Sequence, residues 1–228
     1  MIVFDGSFSL KLQQALMCAV SILTVSCPCA LVLATPITLT VAMGKGAQLG
    51  IIIRDGVVLE LLPKIKNIVF DKTGTLTQSN LDKNKAAAKS LRPDAKETVG
   101  ALNDMSISTY MISGDKKTEA LRVAELIGID KNNVVYEADP VSKKEHLVTL
   151  MNKVSNSESQ HSKFGYVGDG INDAPAMAAA DVGITLESAT DIALESGNVV
   201  LMHNKLADLI TAIRLSKASM RKIKQNLF

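Results

Sequence analysis

The chain has no tryptophan, and its three tyrosines and five phenylalanines bring aromatic side chains to only 4% of 228 residues. That leaves too few flat rings for a platform on which nucleic-acid bases stack. Charge points the same way: 25 Lys and Arg are scattered among 23 Asp and Glu, the net charge is +2, and no basic arm stands out. Nucleic acid is not an expected partner. Cysteine is equally sparse. Cys18, Cys27 and Cys29 all fall inside one apolar stretch, a poor arrangement for a disulfide framework and a usable one for a metal. A reducing cytosol is compatible with this usage.

What is present begins with that stretch. From Leu12 to Gly44 no residue carries a charge, a run of 33 that exceeds the roughly 20 apolar residues needed to cross a bilayer. A signal peptide would have an apolar region of only about 7–15 residues, so the spacing predicts a transmembrane segment. Lys45, Arg54, Lys64 and Lys66 follow it and only Lys11 precedes it, which puts the C-terminal side in the cytoplasm. Pro28 and Pro36 each remove a backbone donor, so the span is expected as a broken helix needing neighbouring helices around it. Cys18 is expected in the core. His146, His161 and His203 have no Cys or His partner at ligand spacing and are expected at surface or helix positions.

Beyond the span, residues 45–64 read as a stalk or connector. Short apolar runs then alternate with amphipathic segments. Strands are expected over 67–70, 108–112, 134–137, 164–167, 182–185 and 199–202, and helices over 94–103, 118–127, 142–154 and 174–180. Residues 78–90 and 155–163 read as polar loops, and 206–228 as a basic amphipathic helix. Alternating strand and helix means a doubly wound α/β parallel sheet, here preceded by the broken transmembrane helix. In such a sheet chemistry gathers at the carboxyl ends of the strands. Three strands end suitably: Phe70 leads to Asp71, Ile112 to Ser113-Gly114-Asp115, and Val167 to Gly168-Asp169.

The sharpest motif is Asp71-Lys72-Thr73-Gly74-Thr75-Leu76-Thr77, followed a hundred residues later by Gly168-Asp169-Gly170-Ile171-Asn172-Asp173-Ala174-Pro175. Taken singly, Lys143 reads as a solvated helix residue and Ser113 as the start of a turn. The ordered set, from about Ile65 to Lys205, resembles the phosphorylation domain of the P-type ATPases, within the haloacid dehalogenase superfamily. That resemblance implies Asp71 as the nucleophile that takes the terminal phosphoryl group of ATP. It implies Mg2+ on Asp71, Asp169 and the Thr73 carbonyl, Ser113 on the phosphoryl oxygens, Lys143 paired with the phosphate, and Asp173 with Asn172 orienting the metal shell. Lys72, Thr75, Gly114 and Asp115 complete the implied cofactor-binding set. Soluble phosphatases of the superfamily usually carry a second acid two residues after the nucleophile, where this chain has Thr73; an aspartyl phosphate is therefore expected to persist.

Cys27-Pro28-Cys29-Ala30-Leu31, with Ala34-Thr35-Pro36 after it, resembles the heavy-metal subgroup of these pumps. Thiolates suit soft ions such as Cu(I), Zn2+ or Cd2+, so Cys27 and Cys29 are the implied ligands of the transported ion. Gly44-Lys45-Gly46-Ala47 and Ile223-Lys224-Gln225-Asn226-Leu227-Phe228 look more like the copper pumps, while Val32 departs from their usual glycine. The resemblance also implies parts that are not found: no Thr-Gly-Glu tripeptide of an actuator domain, no His-Pro pair, and only 44 positions between Asp71 and Asp115 where a nucleotide-binding domain would be inserted. The expected organisation is an N-terminal flank (1–11), a membrane helix (12–44), a connector (45–64), a phosphorylation domain (65–205) with loop 78–90 in place of the insertion, and a basic helix (206–228). The expected function is part of an ATP-driven metal pump, an integral membrane protein with its phosphorylation domain in the cytoplasm. A second chain supplying the missing domains is an expected partner. The alternatives are a zinc or cadmium pump fragment, a membrane-anchored phosphohydrolase and a noncatalytic remnant.

Overall fold

A computed structural model describes residues 8–25, 29–78, 91–157, 162–168, 171–187 and 197–227. Seven strands form one sheet in the order β1-β7-β6-β5-β2-β3-β4. They are β1 (Ile51–Ile53), β2 (Ile65–Asp71), β3 (Ser108–Ile112), β4 (Val134–Val135), β5 (Lys163–Gly168), β6 (Val182–Leu186) and β7 (Val199–Leu201). Every neighbouring pair is parallel except β1 with β7. The expected parallel α/β architecture is therefore present.

Its topology positions the site. From β2 the chain winds outward through β3 to β4, then returns to the other side of β2 and winds through β5, β6 and β7. The winding reverses beside β2, and a crevice opens at the strand carboxyl ends where such a reversal occurs. Asp71 ends β2. The strand is buried along nearly its whole length, with Ile68, Val69 and Phe70 fully covered, as a central strand with layers on both faces requires. Tyr166 and Phe164 pack on one side with Leu147 and Met177; Ile68, Phe70, Leu102 and Leu209 pack on the other.

The helices are α1 (Phe8–Val25), α2 (Cys29–Gln48), α3 (Gly56–Leu61), α4 (Ala95–Asp104), α5 (Lys117–Ile127), α6 (Pro140–Ser157), α7 (Ala174–Ala179) and α8 (Ala207–Leu227). Four readings change. Residues 51–53 are an edge strand of the sheet, Ile51 facing Leu201, with Ile51 and Ile53 buried and Ile52 out. Three residues are too few to display a period, so this strand passed as part of a connector. The strand expected over 134–137 stops at Val135, because Glu137 turns the chain at a φ of 56°. Of the polar loop expected over 155–163, α6 takes the residues up to Ser157 and β5 starts at Lys163, while residues 158–161 lie outside the described residues. Finally, Pro36 lies inside a continuous α2. The hydroxyls of Thr38 and Thr40 donate to the carbonyls of Ala34 and Pro36 at 2.7 and 2.9 Å, back-bonds to residues four earlier, and the helix carries on past the donor that Pro36 lacks.

Among the described residues no helix is long and apolar enough to cross a membrane. The predicted span falls instead on two helices, and residues 26–28 between them, with Cys27 and Pro28, lie outside the described residues. Cys29 is the first residue of α2. Cys18, expected in the core, is exposed on α1, beside exposed Leu12, Leu16, Met17, Val20 and Ile22. The C-terminal helix is amphipathic as expected. It buries Leu209, Ala212, Ile213 and Ile223, and it packs along α2, whose Ala42 joins the same core. Helices α2 and α8 are thus packed onto the sheet rather than tethered to it.

Candidate active site

Asp71 is 3% exposed although it carries a carboxylate. A charge so placed needs a partner, and α6 supplies one. Asp139 starts that helix by accepting the Ser142 amide on Oδ1 at 2.7 Å, a hydrogen bond that lowers the Asp139 pKa. The turn so fixed sends Lys143 inward. Its Nζ lies 2.6 Å from Asp71 Oδ1 and 2.7 Å from Asp173 Oδ1, and Tyr166 donates its phenolic hydrogen to the same Asp173 oxygen at 3.2 Å. Burial pulls the Lys143 ammonium down, but the Asp71 and then the Asp173 charges outweigh it, so its pKa is raised. One cation is shared by two buried carboxylates.

Asp173 owes its place to a glycine. A Cβ on Gly168 would sit 2.8 Å from Asp173 Cβ and 2.9 Å from Oδ2. Gly168→Ala is expected to push Asp173 off Lys143 and to lower any Asp71-dependent reaction by about 10-fold or more, in line with the loss of a group that orients a reacting one. Reaction rate measured beside the melting profile would check it, with a lower melting temperature expected from the broken Asp173–Lys143 pair.

After Asp71 the backbone makes an irregular turn over 72–76, with Thr73 at ψ 123° and Gly74 at φ 77°. Only glycine takes the latter without steric cost. Thr77 Oγ1 accepts the Gly74 amide at 3.3 Å and donates to the Lys72 carbonyl at 3.1 Å. Lys72 forms an ion pair with Asp115, tying this turn to the end of β3. Ser113, 1% exposed, donates to Asp115 Oδ2 at 3.0 Å and accepts the Asp115 amide at 3.1 Å. Its hydroxyl is engaged in the turn, one step behind the cleft that Gly114 lines. Thr75 is fully buried, and among the described residues its hydroxyl has no hydrogen-bond partner.

Asp71, Thr73, Gly114, Lys143, Asn172 and Asp173 line one cleft of about 290 Å3, below the usual range of pockets for drug-sized ligands. Of the residues expected at the site, Asp169 lies outside the described residues. Two residues enter that were not expected. Tyr166 holds Asp173, and its only sequence signal was a hydroxyl inside an apolar strand. Arg92, 7% exposed, donates to the carbonyls of Thr75 and Gly74 at 2.7 and 2.8 Å. Its signal was a lone arginine before Pro93 at a helix start. His146 and His203 are at the surface as expected, and His161 lies outside the described residues.

The family described as haloacid dehalogenase-like hydrolase matches residues 80–181, which hold Ser113, Asp115, Lys143 and Asp173 and begin just after Asp71. The copper-exporting P-type ATPase of Vibrio cholerae is 28% identical, over 96% of this chain and 35% of its own length. The probable copper-exporting P-type ATPase of Archaeoglobus fulgidus is 30% identical, over 92% of this chain and 38% of its own. The chain is similar in sequence to P-type ATPases named for copper transport. It spans between a third and a half of the length of these curated P-type relatives. The Vibrio alignment runs over 327 residues against the 228 of this chain, so the larger P-type ATPase carries a long stretch with no counterpart here. Solved structures agree on the fold. A zinc-transporting PIB-type ATPase superposes with a TM-score of 0.79 at 24% identity, covering 93% of this chain and 51% of its own. A catalytic CPx-ATPase domain, CopB-B, superposes with 0.63 at 19% identity, covering 75% of this chain and 98% of that domain.

Proposed function

We propose that this chain carries the phosphoryl-accepting centre of a heavy-metal P-type ATPase, with Asp71 as the nucleophile and ATP as the donor. The observation that carries the reading is the buried Asp71, held at a strand end by a lysine that also holds Asp173. A carboxylate oxygen of Asp71 attacks the terminal phosphorus, the bond to the leaving oxygen breaks, and an acyl phosphate remains on the side chain. Lys143 keeps the attacking carboxylate in place and offsets the charge gathering on the phosphoryl oxygens. Gly114, Asn172 and the Thr73 backbone bound the cleft in which that group sits. Ser113 positions Asp115, and Asp115 positions Lys72, so the second strand end shapes the cleft.

The oxygen-only donor set fits Mg2+, a hard cation. Asp71, Asp169 and the Thr73 carbonyl would hold it, with Asp173 and Asn172 around them, and when bound it supplies neutralising charge to the transferring group. Thr73 lines the cleft where a second carboxylic acid would activate water, so the acyl phosphate outlasts that of a phosphatase.

The proposed cargo is a soft metal cation, Cu(I) ahead of Zn2+ or Cd2+, taken by Cys27 and Cys29, and the relatives named for copper support that order. Residues 12–44 lie in the membrane, with the domain over 65–205 on the cytoplasmic side. The apolar face exposed on α1 supports this placement. Segment 78–90 stands where a nucleotide-binding insertion belongs, and a second chain would supply that function. Labelled phosphate offered to the purified chain with Mg2+, as ATP or as acetyl phosphate, tests the reading. Acid-stable, hydroxylamine-sensitive label is expected, greater from acetyl phosphate than from ATP; no label from either donor overturns it.

A further inference from the structure

The segment that begins at Leu91 is tied to the turn after Asp71. Thr77 and Leu91 form an isolated antiparallel bridge, and the Arg92 amide donates to the Leu76 carbonyl at 2.9 Å. The Arg92 side chain then spreads over three carbonyls: Nε to Thr75 at 2.7 Å, one terminal nitrogen to Gly74 at 2.8 Å, and the other to Asn204 at 2.9 Å. Two residues later Asp94 Oδ2 accepts the Ala207 amide, at the first turn of α8, at 3.1 Å. Asn204 stands at a φ of 55° in the turn between β7 and α8. Segment 92–94 therefore grips the turn after Asp71 with one hand and the start of α8 with the other.

We infer that Arg92 is a positioning residue for the Asp71 centre, fixing the 72–76 turn and coupling it to α8. A peptide unit is planar and trans, so a guanidinium that holds the Gly74 and Thr75 carbonyls also fixes the amides of Thr75 and Leu76 pointing away from it. The turn's dihedrals are irregular; the Thr77 hydroxyl and the Lys72–Asp115 ion pair hold its first half, and the Arg92 guanidinium holds the carbonyls of Gly74 and Thr75. The fork of the guanidinium suits this task, because its rigid plane presents several donors at once. A lysine in its place is a single point charge. The same fork reaches the turn before α8, and α8 lies along α2. A change in the 72–76 turn therefore has a hydrogen-bonded path to α8, which packs along α2, the helix that carries most of the second half of the span proposed over 12–44. Nothing else among the described contacts joins these two turns through one side chain.

The inference rests on the proposed phosphoryl chemistry for its consequence, but its geometry can be read without it. Hydrogen exchange is measured on the unphosphorylated full chain, comparing wild type with Arg92→Lys and Arg92→Met. Amides of 74–77 and of 205–208 are expected to exchange at least about 10-fold faster in Arg92→Met and by an intermediate factor in Arg92→Lys, with β5 and β6 amides unchanged as the sign of an intact fold. Faster exchange in only one of the two turns overturns the coupling, and unchanged exchange in both overturns the inference. Uniformly faster exchange in Arg92→Met would make Arg92 a general stability residue, unless Arg92→Lys showed the local pattern. In parallel, acetyl phosphate labelling at varied Mg2+ is expected to slow by about 10–100-fold with a raised Mg2+ half-saturation, as for other groups that hold a ligand in place. Absence of label in wild type sinks the phosphoryl reading alone, and the exchange result still decides on Arg92.

Discussion

Asp71→Asn is expected to abolish acid-stable phosphate label while leaving the protein as stable as wild type or more so. The chemical half is direct: an amide nitrogen or carbonyl cannot form the acyl phosphate, so the loss is complete rather than partial. The stability half follows from the charge arrangement. Lys143 lies between Asp71 and Asp173, which are only 3% and 2% exposed, so among the described contacts its one positive charge lies against two negative ones. Removing the Asp71 charge leaves a one-to-one pair of Lys143 with Asp173 and removes a like-charge repulsion from a dry site. Active sites commonly hold such an imbalance at a cost to stability. Thermal unfolding together with labelling checks both halves. Label that persists in Asp71→Asn places the acceptor elsewhere, and a large drop in melting temperature contradicts the two-to-one charge picture.

The core of this arrangement was legible in the sequence, because parallel strands are read from short apolar runs and their carboxyl ends are then known. Asp71 after Ile68-Val69-Phe70, Ser113 after Met111-Ile112 and Gly168 after Tyr166-Val167 are each found at a strand end. Lys143 was legible from its place near a helix start and from the family resemblance, and it lies against Asp71. What escaped the sequence was contact made by single side chains from one element to another, whether near or far along the chain. Arg92 reaches Asn204, and Tyr166 reaches Asp173 only because α7 folds back under β5. No period or spacing encodes such pairings. The three-residue β1 escaped for a different reason. Its identity as a strand comes from the hydrogen bonds that β7 offers at the sheet edge, and a local window does not contain them. Ser113 shows the reverse case: the modest reading, a turn starter, describes the hydrogen bonds it makes.

Lys143→Met is expected to be the most destabilising single change at the site, at about 3–5 kcal/mol, since it removes one partner of a buried ionic group and strands the others. Methionine keeps most of the volume, so the loss is electrostatic rather than a cavity. Asp71 and Asp173 would then lose the cation that lies between them, while the Tyr166 hydroxyl stays on Asp173. Phosphorylation is expected to fall by about 100- to 1,000-fold as well, the range for deleting a group that stabilises developing charge. The pH dependence separates this account from a packing defect. In the folded protein the Lys143 pKa is raised above its ordinary 10.5, so the folded state binds that proton more tightly than the unfolded chain does. The stability it contributes is therefore fully present below about pH 10.5 and lost as pH rises through the raised folded value. Denaturant unfolding of wild type and Lys143→Met should show a constant gap from about pH 6 to 9 and a narrowing one above about pH 10.5. A gap that stays the same through about pH 11 would mean that Lys143 acts by filling space and not by charge.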